Sequence, residues 1–254
     1  MKLSTIDEGT GNPVLLLHSL AQCGEVWRPL IEALTPRARV LAPDARGHGG
    51  SPWDGTPFSV EDLADDMAAL LTELDTGPVA VAGMSMGGCV AIAIAANHPA
   101  LVSRLVLADT TACYGPGRVE TWEQRATNAV QKPRRQQTEF QVDRWFSDEF
   151  RERHPDEVRR VVELFVDTDS EAHAQACRAL GAFDGTGLLA SITCPTLVAV
   201  GEHDYATPPE MARTIADGVE SSDLLVVEEA RHFSVFEVPE ARARVAAHLL
   251  GEDG

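Results

Sequence analysis

The chain has 254 residues, of which 39 are acidic and 21 are Lys or Arg, so its formal net charge is −18. This charge disfavours nucleic acids and anionic membrane surfaces as partners, because both repel an acidic protein. The length fits one large domain, or one domain with an inserted segment, and a hydrophobic fraction of 44% is ordinary for a folded protein.

The N-terminal segment, residues 1–8, turns acidic before any apolar run develops, which disfavours a signal peptide. No later apolar stretch approaches the roughly 20 residues that a membrane-spanning helix needs. The five cysteines are scattered and lack the spacing of a zinc site or a redox motif. We therefore expect a cytoplasmic protein with reduced thiols, no membrane contact, no metal and no cofactor. The sequence does not define the oligomeric state, and a homo-oligomer is one of the options.

Short apolar runs alternate with helical patterns along most of the chain. The hydrophobicity of these runs is continuous, which is typical of parallel strands covered by helices on both faces. We therefore expect an α/β protein with a doubly wound, mostly parallel sheet and right-handed crossovers. The predicted strands are 14–17, 38–42, 79–82, 105–108, 196–200 and 224–227, and the helices between them are 27–34, 60–74, 89–97, 209–217 and 239–250.

One long segment interrupts this alternation. Between residues 114 and 187 no clear strand pattern occurs, and the helical patterns are 119–130, 138–150, 156–166 and 170–180. An ordinary crossover between parallel strands needs only one helix, so several helices favour a lid over the strand ends. We expect residues 1–113 and 188–254 to form the α/β core and residues 114–187 to form the helical lid, or cap.

The pattern Gly83-Met84-Ser85-Met86-Gly87 lies between a predicted buried strand and a helix. In this context, G-x-S-x-G indicates a tight strand-to-helix turn that holds a serine hydroxyl at the C-terminal edge of a sheet. The amide of Met86 then lies at a helix N-terminus, where it can donate to an oxyanion. We predict Ser85 as a nucleophile and the Met86 amide as one oxyanion donor.

A serine nucleophile needs a base, and the base needs an acid that fixes its tautomer. In enzymes with a G-x-S-x-G turn of this kind, the acid follows the serine along the chain and the histidine follows the acid. His232 follows the last predicted strand and Asp204 follows the strand before it, so we predict them as base and acid. Asp109, after the strand that adjoins the nucleophile strand, stays an alternative acid or an assistant. Glu202 and His203 are expected to shape the Asp204 loop rather than to bind a metal.

The second oxyanion donor should come from the loop after the first predicted strand. The amide of Leu20 is the candidate, with Ser19 as a helper and His18 as a brace for the loop. The segment D-A-R-G-H-G-G-S at 44–51 follows another strand, and we interpret it as architectural.

These motifs together resemble the α/β-hydrolase superfamily over nearly the whole chain. Within it, R-W-F at 144–146, L-F-V-D-T-D at 164–169 and A-T-P-P at 206–209 are similar to the 3-oxoadipate enol-lactonases of bacterial aromatic catabolism. The resemblance implies an α/β-hydrolase fold and Trp145 as a wall of the substrate pocket. It also implies a catalytic triad of Ser85, Asp204 and His232, with oxyanion amides at Met86 and Leu20.

Ser19 and Arg144 complete the predicted substrate site. A dicarboxylic product would need a cationic anchor, and the lid offers Arg134, Arg135, Arg144 and Arg151. The chain departs from the lactonase pattern at 109–111, where D-T-T stands in place of the usual N-T-A. It departs again at 18–21 and 233–235, so the substrate is less defined than the class.

The implied reaction is hydrolysis of a small enol-lactone through an acyl-enzyme on Ser85. The alternative is a general carboxylesterase or a carbon–carbon bond hydrolase on the same triad. A third hypothesis is a non-catalytic binding protein with a hydrolase fold. Serine at the turn disfavours dehalogenase and epoxide hydrolase chemistry, which would need aspartate there.

Overall fold

The computed structural model describes residues 2–252. Within this range, seven strands form one sheet in the order β1-β3-β2-β4-β5-β6-β7. All neighbouring strands are parallel except β1 and β3, so the predicted mostly parallel, doubly wound sheet is confirmed. The strands are β1 (Thr5–Gly9), β2 (Asn12–Leu17), β3 (Ala38–Pro43), β4 (Val79–Met84), β5 (Val102–Ala108), β6 (Thr196–Gly201) and β7 (Ser222–Val227).

Strand β1 is absent from the sequence prediction because it lies at the edge of the sheet. Its residues are exposed or half-buried, so it has no continuous apolar run. It pairs antiparallel with β3, and Asp7 forms an ion pair with Arg39 at 2.7 Å across the two strands. Edge strands often carry such charged side chains, which hide their strand character from a hydrophobicity pattern.

The helices outside the inserted segment follow the prediction with one informative shift. Helix α3 begins at Met86, three residues before the predicted start, because Gly87 and Gly88 are helical despite their low helix propensity. The short helix α10 was not predicted. These helices are α1 (Arg28–Leu34), α2 (Val60–Glu73), α3 (Met86–Asn97), α9 (Pro209–Gly218), α10 (Ser234–Glu237) and α11 (Pro239–Leu250).

Five α-helices lie between β5 and β6, in the segment predicted as the lid. The predicted single helix over 138–150 is wrong, because the chain leaves the helix at Phe146 and starts a new one after Ser147. Phe146 is extended and fully buried, and the Ser147 hydroxyl caps the next helix by accepting from the Phe150 amide at 3.2 Å. The exact division into core and lid stays a prediction. The helices are α4 (Arg118–Gln131), α5 (Arg134–Trp145), α6 (Asp148–Arg153), α7 (Pro155–Asp167) and α8 (Ser170–Ala182).

The sheet is buried on both faces. Successive residues of β2 point to opposite sides, so Leu15 and Leu17 join one apolar cluster and Val14 and Leu16 join the other. Helices α2, α3 and α9 cover the first face, and α1 and α11 cover the second. Between residues 2 and 252, no helix combines the length and apolarity needed to cross a membrane.

Leu16→Ala should destabilise the protein by about 3–5 kcal/mol, because it leaves a cavity in a tightly packed core. The Leu16 side chain is 0% exposed on the central part of the sheet, whereas Leu224 is 38% exposed on the edge strand β7. The matched variant Leu224→Ala should therefore cost less than about 1.5 kcal/mol. Urea unfolding of both variants tests this difference, and equal losses would contradict the assignment of the core.

Candidate active site

Ser85 lies on a strained turn between β4 and α3. Its φ angle is +53°, in the left-handed region that residues other than glycine rarely adopt. A Cβ at Gly83 would lie 2.1 Å from the carbonyl oxygen of Gly87, and a Cβ at Gly87 would lie 2.1 Å from that of Leu17. Glycine is therefore required on both sides of Ser85, and the turn presents the serine hydroxyl at the C-terminal edge of the sheet.

The structure brings together the three residues predicted as nucleophile, base and acid. His232 Nε2 lies 3.0 Å from Ser85 Oγ, and His232 Nδ1 lies 2.8 Å from Asp204 Oδ2. Because a carboxylate only accepts, the Nδ1 proton donates to Asp204 and Nε2 is left to accept the Ser85 proton. All three side chains are nearly buried, so this chain of hydrogen bonds is shielded from water.

The Asp204 carboxylate is surrounded by donors. Its Oδ1 accepts from the amides of Ala206 and Thr207 at 2.7 and 3.0 Å, and its Oδ2 also accepts from the Thr207 hydroxyl at 2.8 Å. Burial raises the pKa of Asp204, but the adjacent His232 and the Thr207 donors outweigh it, so the pKa lies below its ordinary value. Asp204 therefore stays ionised throughout the neutral range.

Asp109, the alternative acid, lies in a different environment. Its carboxyl oxygens accept hydrogen bonds from the amides of Gly201 and Ser234. Within residues 2–252, Asp109 makes no hydrogen bond to His232. Glu202 and His203, predicted to shape the Asp204 loop, are exposed on the surface behind the site. Their side chains come close to Glu229, and Glu202 accepts from the Glu229 amide at 3.1 Å.

The R-W-F segment at the end of α5 holds the backbone of the base. The carbonyl of Arg144 accepts from the His232 amide at 3.2 Å, and the carbonyl of Trp145 accepts from the Phe233 amide at 3.0 Å. The Trp145 ring packs against Phe233, with ring centroids 5.6 Å apart. The end of α5 therefore helps to position His232.

The loop after β2 lies beside Ser85, as predicted. His18 donates from Nδ1 to the Ser19 carbonyl at 2.8 Å and accepts the Ala45 amide at Nε2 at 2.9 Å, which confirms its bracing role. The amides of Leu20 and Met86 donate no hydrogen bond within the described chain, 2–252. Two unoccupied N–H donors next to a serine hydroxyl can stabilise an oxyanion.

A cavity of about 260 Å³ opens at Ser85 and His232. Ser19, Arg144 and Trp145, predicted to bind substrate, all line it. It also contains two residues that the sequence prediction missed, Tyr114 and Arg125. Arg125 follows Trp122 by one helical turn on α4, so an aromatic–arginine pair at helical spacing was the available signal.

Tyr114 lines the same cavity as Ser85. Its ring packs edge-on against Trp122, with centroids 4.8 Å apart. Burial and nearby negative groups raise the pKa of Tyr114 well above its ordinary value, so the phenol stays protonated and can donate. No sequence motif marks this residue, because it follows β5 on an irregular segment.

Arg125 and Arg144, the arginine pair, carry uncompensated positive charge into the cavity. Arg125 stacks on Trp122 at 4.1 Å and Arg144 stacks on Phe140 at 3.9 Å. Between residues 2 and 252 neither forms an ion pair with a carboxylate. Burial, and then the charge of Arg125, lower the pKa of Arg144. The pair is therefore suited to an anionic group of a ligand.

The other predicted anchors are already engaged. Arg135 pairs with Glu163 and Arg151 pairs with Asp143, both on the surface. Arg134 donates to His173 Nδ1 at 2.6 Å. Of the four arginines considered as anchors, only Arg144 lines the cavity.

Thr207→Val should cost about 1.5–3 kcal/mol at neutral pH, because it removes a buried hydrogen bond to a charged carboxylate. Since the folded pKa of Asp204 is lowered, its stabilisation is complete above the usual aspartate pKa of about 4 and is lost as the pH falls through the folded pKa. The penalty should therefore shrink only at acid pH. Urea unfolding against pH measures it.

Thr168→Val is the matched control, because the Thr168 hydroxyl is also buried but donates to neutral carbonyls. Its cost should be about 0.5–1.5 kcal/mol and should not vary with pH in this range. The same pH-independent cost in both variants would contradict an ionised, hydrogen-bonded Asp204.

Comparison with known proteins places this geometry in a family. Residues 12–239 match the family model described as the alpha/beta hydrolase fold. A 3-oxoadipate enol-lactonase from Acinetobacter baylyi is 27% identical over 95% of this chain and 89% of its own length.

Two solved structures are each 30% identical and cover 98% of this chain. The enol-lactonase from Burkholderia xenovorans has a TM-score of 0.92 over 96% of its chain, and a Thermogutta terrifontis esterase with malate bound has 0.91 over 93%. The predicted resemblance is confirmed. The chain belongs to the α/β-hydrolase fold family, and its similarity to lactonases and esterases identifies it as a hydrolase.

Proposed function

We propose that this protein is a serine hydrolase that opens a small enol-lactone through an acyl-enzyme on Ser85. The observation that carries the proposal is the hydrogen-bonded chain Ser85–His232–Asp204 at the wall of a small cavity. As the resemblance implies, the substrate is of the 3-oxoadipate enol-lactone type. In this proposal the protein acts on it in the cytoplasm, as part of aromatic catabolism.

In the first half of the reaction, His232 Nε2 accepts the Ser85 proton as Oγ attacks the lactone carbonyl. The amides of Met86 and Leu20 stabilise the oxyanion of the tetrahedral intermediate. Asp204 holds the His232 tautomer and stabilises the imidazolium that forms. Collapse of the intermediate breaks the ring C–O bond, and the enol oxygen receives the proton from His232.

In the second half, the acyl group is bound to Ser85 as an ester. The opened chain carries the former leaving group with it, because a lactone joins both ends in one molecule. Water loses a proton to His232 and attacks the ester carbonyl, again with the oxyanion at the two amides. Release of Ser85 yields a new carboxylate and restores the enzyme.

The arginine pair supports an anionic substrate. Carboxylates outnumber Lys and Arg by 39 to 21 in this chain, so partners for an arginine are abundant. Arg125 and Arg144 nevertheless have no carboxylate partner in the described structure, and both line the cavity that contains Ser85. A carboxylate on the substrate would supply the missing charge, and the related esterase binds malate, a dicarboxylate.

A general carboxylesterase is the second candidate. The observation that favours it is the esterase likeness, which equals the lactonase likeness at 30% identity and nearly the same TM-score. A carbon–carbon bond hydrolase would use the same three side chains. These candidates share the mechanism and differ in the leaving group, so substrate assays separate them.

A fluorophosphonate probe should label Ser85 in the folded protein, because the probe reacts only with a serine activated by a base. Ser85→Ala should abolish labelling and lower hydrolysis of the preferred substrate by at least about 10⁴-fold. Mass spectrometry of the labelled peptide gives the site. An unlabelled wild-type protein would favour a non-catalytic binding protein, and ester hydrolysis without lactone hydrolysis would favour the carboxylesterase.

Arg125→Met should raise KM for the enol-lactone by about tenfold or more, because a charge-assisted hydrogen bond to the substrate is lost. The neutral ester p-nitrophenyl acetate should be hydrolysed at an unchanged rate. Arg135→Met is the matched control, since Arg135 pairs with Glu163 outside the cavity. Equal effects of Arg125→Met on both substrates would contradict anion binding by the pair.

A further inference from the structure

The end of β5 and the residues after it contact the Ser85 turn and the loops that carry Asp204 and His232. The Ala108 carbonyl accepts from the Ser85 amide at 3.0 Å, and the Thr110 hydroxyl donates to the Ser85 carbonyl at 2.7 Å. Between these two residues, Asp109 has a φ angle of +47° and is fully buried. A residue with a side chain rarely adopts this conformation. Here it turns the Asp109 carboxyl towards two loops: the acid loop, which follows β6 and carries Asp204, and the base loop, which follows β7 and carries His232.

The Asp109 carboxyl joins these two loops. Its Oδ1 accepts from the Gly201 amide at 3.0 Å, and Gly201 ends β6 three residues before Asp204. Its Oδ2 accepts from the Ser234 amide at 3.1 Å and lies 2.9 Å from the Ser234 hydroxyl, two residues after His232. The loops also touch directly, since a Cβ at Gly201 would lie 2.2 Å from the Arg231 carbonyl oxygen.

The donors around Asp109 require a carboxyl group. Each of its two oxygens accepts from a backbone N–H, and Oδ2 also accepts from the Ser234 hydroxyl. Asparagine would place its own NH₂ against one of these amides and leave a buried donor without an acceptor. Such an unsatisfied group is costly in a buried site.

Two buried carboxyls therefore lie near each other, but only one of them has a histidine partner. Burial, and then the charge of Asp204, raise the pKa of Asp109 well above its ordinary value. At Asp204, the His232 and Thr207 contacts outweigh burial and hold the pKa below its ordinary value. The Asp109 carboxyl instead accepts hydrogen bonds from Gly201 and Ser234, so its contacts connect the two loops.

We propose that Asp109 is a positioning residue that holds the acid loop and the base loop in register with Ser85. This inference rests on the proposed function, because it assigns a role within the same triad. Asp109 does not line the cavity, so it acts through Gly201 and Ser234 rather than on the substrate.

The test compares Asp109→Ala and Asp109→Asn with the wild type, using active-site titration with a fluorophosphonate. Per titrated site, kcat should fall by about 10- to 100-fold in Asp109→Ala, with KM within about twofold, since small misplacements of reacting groups cost this much. The kcat of Asp109→Asn should lie between those of Asp109→Ala and the wild type. The proton resonance of His232 Nδ1–H should shift or broaden in both variants. The reason is that the substituted residue no longer holds the loops of His232 and Asp204 together, so the hydrogen bond between them is altered.

Leu34→Ala is the control for stability, because Leu34 is fully buried at the end of α1, close to the start of β3 and so to the sheet edge opposite the site. It should leave kcat per site and the resonance unchanged. An unchanged kcat per site and resonance in Asp109→Asn would overturn the proposal, and this near-isosteric variant serves if Asp109→Ala does not fold. A wild-type protein that reacts with no probe would instead refute the proposed function.

Discussion

The close approach of helix α3 to the central strands is the constraint on which the rest of the site depends. Side chains at positions 83 and 87 would overlap with backbone oxygens, and a Cβ at Gly88 would lie 2.4 Å from that of Thr110. Without these contacts Ser85 could relax from its left-handed conformation, and its hydroxyl would leave the edge of the sheet. Three glycines thus permit a turn in which a strained residue is held by the packing around it.

The parallel sheet then determines where the partners of Ser85 lie. Strands β4, β5, β6 and β7 all end at the same edge, so the residues that follow them meet there although they are far apart in sequence. Asp109 and Asp204 follow neighbouring strands, and the two carboxyls differ in environment. Burial raises the pKa of both, but His232 and the Thr207 donors bring the pKa of Asp204 below its ordinary value, whereas the charge of Asp204 adds to the rise at Asp109.

The helices between β5 and β6 contribute positive charge to the cavity. The protein surface is strongly acidic, and most of its arginines pair with carboxylates there. Inside the cavity the balance is reversed, because Arg125 and Arg144 stack on aromatic rings and face no carboxylate in the described chain. The backbone of the same α5 segment binds the His232 loop. A ligand held by the arginine pair would therefore contact the element that also positions the base.

The sequence by itself determined six of the seven described strands, most of the helices that flank the sheet, and the chain positions of Ser85, Asp204 and His232. Apolar runs, glycine spacing and chain order are local signals, and local signals suffice for buried strands and a tight turn. The tertiary structure alone decided strand β1, the break at Phe146, and the positions of Tyr114 and Arg125 at the cavity. Edge pairing, burial of an aromatic ring and loss of a charge partner depend on residues distant in the chain. The same holds for Asp109, which sequence order offered as an alternative acid and which the fold places between two loops instead.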